Sequence, residues 1–478
     1  MTVQADNLPK GWVGARLDAF AEIILGQSPP SSTYNEDGNG LPFYQGKLEF
    51  GDMYPTPRKW CKSPKKIAEK GDVLVSVRAP VGPTNICPER SCIGRGLAAI
   101  RGLEGVETHF ILYLMRAQGN LLSSIGTGTT FSAITGDKLK GIHVPLPPLS
   151  EQHCIVAKVE ELFTRLDAGV EALKNIKTQL KHYRQSVLKH AFEGKLTAEW
   201  RQAHKDELEP ASVLLERIKQ GRQKTAKGKH KEIPPRDTSD LPRLPEGWMW
   251  ARIAEISTLI NGRAFKPSEW SMRGLPIIRI QNLNDPDAGF NYCNFEIDDR
   301  FVVENGQLLF AWSGTPGTSF GAHIWNRDKA VLNQHIFKVV IGENNINKRF
   351  LMHVLNHNVA EFIAKAHGTA GLAHITKGKF DESVITLPSL SEQHRIVEEV
   401  ERRFSVADQI EKTVDHSLKQ AERLRHGILK RAFEGKLVPQ DLNDEPAEKL
   451  LERIKLEKSQ REKAGNKIGR EHKFKCHK

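Results

Sequence analysis

The chain is written twice. Leu8-Pro-Lys-Gly-Trp12 returns as Leu244-Pro-Glu-Gly-Trp248, and Leu149-Ser-Glu-Gln-His153 as Leu390-Ser-Glu-Gln-His394. Ala191-Phe-Glu-Gly-Lys-Leu196 returns as Ala432-Phe-Glu-Gly-Lys-Leu437, and Leu214-Leu-Glu-Arg-Ile-Lys219 as Leu450-Leu-Glu-Arg-Ile-Lys455. Gly71-Asp-Val-Leu with Gly306-Gln-Leu-Leu, and Ile134-Thr135 with Ile375-Thr376, fill in the frame. A repeat of about half the chain restricts the fold to a duplicated unit. The segments after residues 149 and 390 match without gaps, whereas 13–70 and 249–305 barely match. That pattern suits one scaffold presenting two different readers; the plainer alternative is an old duplication whose halves drifted.

Each half divides again. Residues 8–147 and 244–388 are rich in Gly and Pro, with short β-like runs such as Val73-Leu-Val-Ser-Val77, Leu308-Leu-Phe-Ala-Trp312 and Ile336-Phe-Lys-Val-Val340. Short helical patterns lie between them, at 108–117 and 348–360. These read as mixed α/β domains. Then the apolar period changes. Ile155, Val159, Leu162, Leu166, Gly169, Leu173, Ile176, Leu180, Tyr183 and Val187 alternate at four and three. So do Ile396, Val400, Arg403, Ala407, Ile410, Val414, Ser417, Ala421, Leu424 and Ile428, a heptad seam broken at Gly169, Arg403 and Ser417. Ser150 and Ser391 stand where helix N-caps are expected, and Gly194 and Gly435 where the helices end. Neither helix has the apolar surface to be a core helix alone. Pairing the two seams antiparallel, about a pseudo-twofold, is the economical expectation; two helices packing separately on their own domains is the alternative.

Composition bounds the class. The 478 residues are 39% hydrophobic and hold no apolar run of the ~18 residues that a membrane helix needs. Met1–Trp12 has neither the basic start nor the apolar core of a signal peptide. The six cysteines form no Cys-x-x-Cys pair, so a reduced, cytoplasmic setting without a zinc ribbon is expected. The net charge of +12 is concentrated: Arg217–Lys231 and Arg453–Lys478 together carry +14, leaving the rest near −2. Total charge alone therefore decides little about nucleic acid.

Catalytic signatures are missing. Every Gly-Lys is followed by Leu, His or Phe, so there is no phosphate-cradling loop. No Asn/Asp-Pro-Pro-aromatic motif of amino-methyltransferases occurs, and Pro286-Asp287 is not followed by the Asp/Glu-x-Lys of a restriction-type nuclease. No Gly-x-Ser-x-Gly elbow occurs either. His153 and His394 read as helix-start residues rather than bases. The chain reads as a binding component and not an enzyme; a self-contained methyltransferase or nuclease is disfavoured.

The duplicated domain, the two Leu-Ser-Glu-Gln-His-x-Ile-Val starts, the two Ala-Phe-Glu-Gly-Lys-Leu ends and the two Leu-Pro-x-Gly-Trp openings together resemble the DNA-specificity subunit of type I restriction–modification enzymes, from Leu8 to about Lys455. The resemblance implies an α/β (mixed α+β) fold: duplicated target recognition domains separated by two long helices paired as an antiparallel coiled coil. The expected segments are an N-terminal recognition domain at 1–148, a spacer helix at 149–197, and a short helix with basic linker at 198–243. A C-terminal recognition domain at 244–389, a second spacer helix at 390–438 and a short helix with basic tail at 439–478 follow. Each domain would read one half of a bipartite, asymmetric site in double-stranded DNA. The helices would fix the spacer and dock two modification (methyltransferase) subunits, with two restriction (motor/nuclease) subunits completing the complex. No cofactor is expected in this chain; S-adenosylmethionine, ATP and Mg²⁺ would sit on those partners. A protein–protein adaptor built on the same duplicated frame is the rival.

Sequence must be read by side chains at base edges, with phosphate contacts positioning the domain. The candidates in the first domain are Gln45, Lys47, Arg58, Lys59, Arg78 and Arg95, with Thr130 and Ser132 from the polar loop Thr127–Ser132. In the second they are Arg263, Lys266, Arg279, Gln281, Asn282, Ser313 and His374. Arg and Lys suit guanine O6/N7 and Gln suits adenine N6/N7. For any single one of them a solvated surface role is the plainer reading. Trp12 and Trp248, following a Pro/Gly opening, read as core anchors, and Phe192 and Phe433 as packing at the helix ends.

Overall fold

The computed structural model describes residues 8–126, 133–225, 238–285, 287–314, 320–342, 345–364 and 373–460. The chain forms two compact units, each assembled from both halves of the sequence: Met1–Lys174 with Asp415–Lys478, and Asn175–Val414. The two long helices, Leu149–Phe192 and Leu390–Phe433, have 44 residues each and contribute to both units.

In the first unit, Val13–Arg16 pairs antiparallel with His143–Leu146, closing the domain beside the helix start. A four-stranded sheet runs in the order Ala21–Leu25, Leu97–Gly102, Val73–Ser76, Thr84–Ile86. A second sheet holds a parallel pair, Leu41–Tyr44 beside Ser91–Ile93, in register Phe43 to Cys92 and Tyr44 to Ile93. The second unit repeats the plan. Met249–Arg252 pairs with Val384–Leu387, and the larger sheet runs Thr258–Asn261, Ile336–Val340, Gln307–Ala311, Gly321–Trp325. Its parallel pair is Leu275–Ile278 beside Ala330–Leu332.

Each core draws residues from both halves of the sequence. Phe110, Leu114, Ile155 and Val159 of the first half cluster with Ile428, Leu429, Ala432, Leu450 and Ile454 of the second. Trp248, Phe350, Ile396 and Val400 of the second half cluster with Val187, Ala191, Leu214 and Ile218 of the first. Each domain is thus completed by the end of the other repeat's long helix and by the short helical segment after it. The same backbone bond joins each pair: Ala447 N donates to Gly11 O, and Ala211 N to Gly247 O, both at 2.9 Å.

Within each unit the helices run antiparallel. In the first, Ile155 and Val159 share a core with Ile428 and Leu429, whereas Val170 and Lys174 lie beside Leu418 and Ala421. In the second, Ala191 shares a core with Ile396, whereas Arg184 Nη2 reaches Asp408 at 2.7 Å and Glu411 at 2.8 Å. The seam is thinner than the heptads predict. One row of seven is buried or half-buried, at Val159, Leu166, Leu173, Leu180 and Val187, and at Val400, Ala407, Val414, Ala421 and Ile428. In the alternating row Ile176, Tyr183, Ile410 and Leu424 are exposed.

The helices begin at Leu149 and Leu390, the expected starts, so Ser150 and Ser391 lie inside them rather than at the caps. Ser389 Oγ accepts from Glu392 N at 3.2 Å, so Ser389 and not Ser391 caps the second helix. Pro148 occupies the matching place in the first. Gln152 and Gln393, both fully buried, donate back to Pro147 O and Pro388 O at 3.0 and 3.1 Å. The expected glycine ends are present: Gly194 and Gly435 take φ of +71° and +68°, which an L side chain adopts only with strain.

Trp12 and Trp248 are buried anchors with a specific partner. Trp12 Nε1 donates to Glu151 Oε2 at 2.8 Å, and Trp248 Nε1 to Glu392 Oε2 at 2.7 Å. In the second unit Thr197 Oγ1 and Arg201 Nε also reach Glu392 Oε1, at 2.7 and 2.9 Å. In the first unit the corresponding residues are Val438 and Leu442, and the buried Glu151 Oε1 has no partner among the described residues. Burial, opposed by the Trp12 hydrogen bond, accordingly holds the Glu151 carboxyl above its ordinary value of 4.5. A carboxyl raised on folding stabilises fully below its unfolded value, and that contribution is lost as pH rises through the folded value. Wild-type protein is therefore expected to lose protection of the 149–174 amides in hydrogen exchange as pH rises from 4.5 through the raised folded value. Glu151→Gln, which still accepts from Trp12, should abolish that loss; an identical pH profile in the variant would refute the assignment.

Candidate nucleic-acid interface

Parallel pairing brings loops together that sequence keeps apart. Because Leu41–Tyr44 and Ser91–Ile93 run side by side, their following loops leave the sheet at one end. Gly94 N donates to Tyr44 O at 2.8 Å, and Val77 N to Gly96 O at 2.9 Å, which draws the end of Val73–Ser76 to the same edge. The fit is close: a Cβ on Gly96 would stand 2.2 Å from Gln45 O. Gln45, Lys47, Arg78 and Arg95 thereby line one open cavity of about 890 Å³, walled by Ser28 and Tyr34. All four are exposed, and among the described residues no ion pair engages Lys47, Arg78 or Arg95. Arg95 N is fixed by Ser28 Oγ at 3.2 Å. Arg58 and Lys59 lie outside this cavity, with Lys59 Nζ 3.9 Å from Glu36 Oε1. Thr130 and Ser132 lie outside the described residues.

The second domain has the same edge with different side chains. Counted from the end of the matching strands, Arg279 stands for Gln45, Gln281 for Lys47, Gln334 for Arg95 and His335 for Gly96. Ser313 stands for Arg78, and the bridge from Arg78 to Ala133 becomes the pairing of Ser313 with His374. The supporting bonds recur: Trp312 N donates to His335 O at 3.2 Å and Ile375 N to Trp312 O at 3.1 Å. Gly262 marks the close approach, since a Cβ there would sit 1.9 Å from Asn333 O, as one on Gly26 would sit 2.1 Å from Gly94 O.

The remaining candidates divide by what already holds them. Gln281 and Lys266 are exposed. Arg263 pairs with Glu269, and its guanidinium packs 4.8 Å from the Phe265 ring and 5.0 Å from Phe295. Asn282 is buried; its Oδ1 accepts from Arg279 N at 3.1 Å and its Nδ2 donates to Ala288 O and Gly289 O at 3.1 Å. Arg279 Nη2 donates to Gly289 O at 3.0 Å. Asn282 and Arg279 thus tie residues 279–282 to Ala288 and Gly289. Gln334 and His335 escaped the sequence reading because nothing local marks them; aligning Ser91-Cys-Ile with Ala330-Val-Leu would have found them. No group of three or more His, Cys, Asp or Glu able to hold a metal occurs among the described residues, and none of their helices is long and apolar enough to cross a membrane.

Comparison with known proteins agrees with the duplicated plan. The family model described as type I restriction modification DNA specificity domain matches twice, at residues 9–182 and 245–420. The type I restriction enzyme EcoKI specificity subunit of Escherichia coli strain K12 is 25% identical over 96% of this chain and 97% of its own length. The putative MjaX specificity subunit of Methanocaldococcus jannaschii is 39% identical over 40% of this chain, a match spanning 44% of that protein. In fold, the HsdS subunit from Thermoanaerobacter tengcongensis superposes with a TM-score of 0.53 at 20% identity, over 91% of this chain and all of that one. A chain of a solved type I R-M system gives 0.66 at 20% identity, over 90% and 99%.

Proposed function

Since the chain belongs to the type I restriction–modification DNA specificity family, we propose that it is the sequence-reading subunit of such a complex, each domain reading one half of a bipartite, asymmetric site in double-stranded DNA. The carrying observation is the matched edge: one backbone arrangement in both domains, furnished with Gln45, Lys47, Arg78 and Arg95 in the first and with Arg279, Gln281, Ser313 and Gln334 in the second. The first set is rich in cationic donors, which suit guanine edges and phosphates, and the second is mostly neutral. Differently furnished edges suit unlike half-sites.

In this reading the helical pair sets the number of unread base pairs and docks two modification subunits. The exposed apolar row Ile176, Tyr183 and Ile410 offers them surface in the second unit, and Leu424 in the first. Chemistry belongs to partners: S-adenosylmethionine on the modification subunits, ATP and Mg²⁺ on two restriction subunits, all in the cytoplasm. This chain contributes specificity and no catalysis.

The test is single-molecule sequencing of adenine methylation in DNA from cells expressing the chain with its modification subunit. A bipartite motif that appears only with this chain supports the reading; no motif despite a soluble complex and an active partner favours the protein–protein adaptor. Replacing Arg78 and Arg95 together by Ala should relax one half-site and leave the other defined. In binding titrations it should weaken affinity and lower the salt slope by up to about 2, roughly 0.9 per lost phosphate contact. An unchanged motif and slope would remove these two residues from the interface.

A further inference from the structure

We propose that Gln334 is the adenine-reading side chain of the second domain, with its amide aimed by His335. The inference rests on the DNA-reading function proposed above and names a chemistry for one position of it. Gln334 follows the strand Ala330–Leu332 as Arg95 follows Ser91–Ile93, so it holds the register position from which Arg95 lines the first domain's cavity. Its backbone is pinned, since Gln334 N donates to Asn333 Oδ1 at 2.6 Å.

The side chain is also oriented. Gln334 Nε2 lies 3.0 Å from His335 Nε2. An amide nitrogen can only donate, so the ring nitrogen accepts, which places the imidazole proton on Nδ1 and keeps the ring neutral. His335 is held in turn: its carbonyl accepts from Trp312 N, and its ring meets the Trp312 indole edge-on at 5.4 Å. Burial, and His374 on the facing strand, push its titration below the ordinary 6.5, which favours the accepting form at neutral pH.

One amide hydrogen goes to His335. The other hydrogen and Oε1 stay unpartnered among the described residues, and Oε1 is not a buried atom. A free N–H beside a free carbonyl is the donor–acceptor pair that adenine N7 and N6 require, and it is wrong for guanine, whose N7 and O6 both accept. Without His335 the amide could turn over and lose that preference. His335 is therefore a positioning residue.

The methylation-sequencing assay tests this on the whole complex. With wild-type chain the second half-site should contain a fixed adenine position. Gln334→Ala should relax that position alone, with discrimination falling roughly 10- to 100-fold, while the first half-site stays fixed. Gln334→Glu, an isosteric acceptor, should move the preference toward cytosine N4. His335→Ala should relax the same position, and His335→Gln, whose carbonyl can accept from the amide, should restore it. The proposal is overturned if the wild-type motif appears but these variants leave it unchanged, weaken every position equally, or fail to assemble. No motif from the wild-type complex would instead overturn the DNA-reading function itself.

Discussion

Arg201→Ala should destabilise the second unit by about 3–5 kcal/mol, the cost of leaving a buried charge without its partner. Glu392 is 1% exposed and Arg201 16%, so water replaces little of the lost contact. Arg201 Nε holds Glu392 Oε1 at 2.9 Å, its Nη2 also donates to the Gly194 carbonyl at the end of the first long helix, and its guanidinium lies 5.3 Å from the Trp248 ring. One side chain thus joins the start of one long helix, the end of the other and the opening of the second domain. Among the described residues the first unit has no equivalent: Gln440 Nε2 donates to Gly435 O at 3.4 Å, and Glu151 bonds through its side chain to Trp12. Hydrogen exchange on the full chain is the discriminating measurement. Protection should fall at 390–414 and 175–192 and persist at 149–174. Thr197→Val, which removes one hydrogen bond to the same carboxylate, should cost less, about 1–3 kcal/mol. A loss below 1 kcal/mol for Arg201→Ala would show that Glu392 is accommodated by other means.

The frame was legible in the sequence because it is repeated and periodic. The helix pair, both glycine ends and both tryptophan anchors announce themselves as spacing or as recurring words. What stayed hidden depends on contacts between distant segments. The partners of the tryptophans are the glutamates of the two Ser-Glu-Gln-His words, read at first only as helix starts. The crossed assembly, in which Ala447 closes on Gly11 and Ala211 on Gly247, leaves no local signal. The interface behaves likewise. Residue type alone nominated Arg263 and Asn282, yet Phe265, Phe295 and Glu269 surround the first, and the 279–289 loop engages the second. Residue type could not nominate Gln334, which gains meaning only beside Arg95 through the parallel pairing of strands. Apolar periodicity specifies which rows can be buried; only the packing decides that one row is covered along the helices while the other is exposed at Ile176, Tyr183, Ile410 and Leu424.

That single row sharpens the second large expectation. Inserting four helix-forming residues near Thr178 should lengthen the unread spacer by one or two base pairs without altering either half-site. Four residues add about 6 Å of helix and about 40° of rotation, against about 3.4 Å per base pair. Because the heptad alternates four and three, a shift of four brings Tyr183, from the second apolar row, to the place of Val187. Contact with Val400 then stays apolar, and Arg184 trades Asp408 and Glu411 for neighbours one turn along. A two-residue insertion at the same point rotates the row by about 200°, toward solvent, and should abolish methylation. Methylation sequencing reads both outcomes. A changed half-site with an unchanged spacer, or equal tolerance of two and four residues, would rule out the helical pair as the element that sets the spacing.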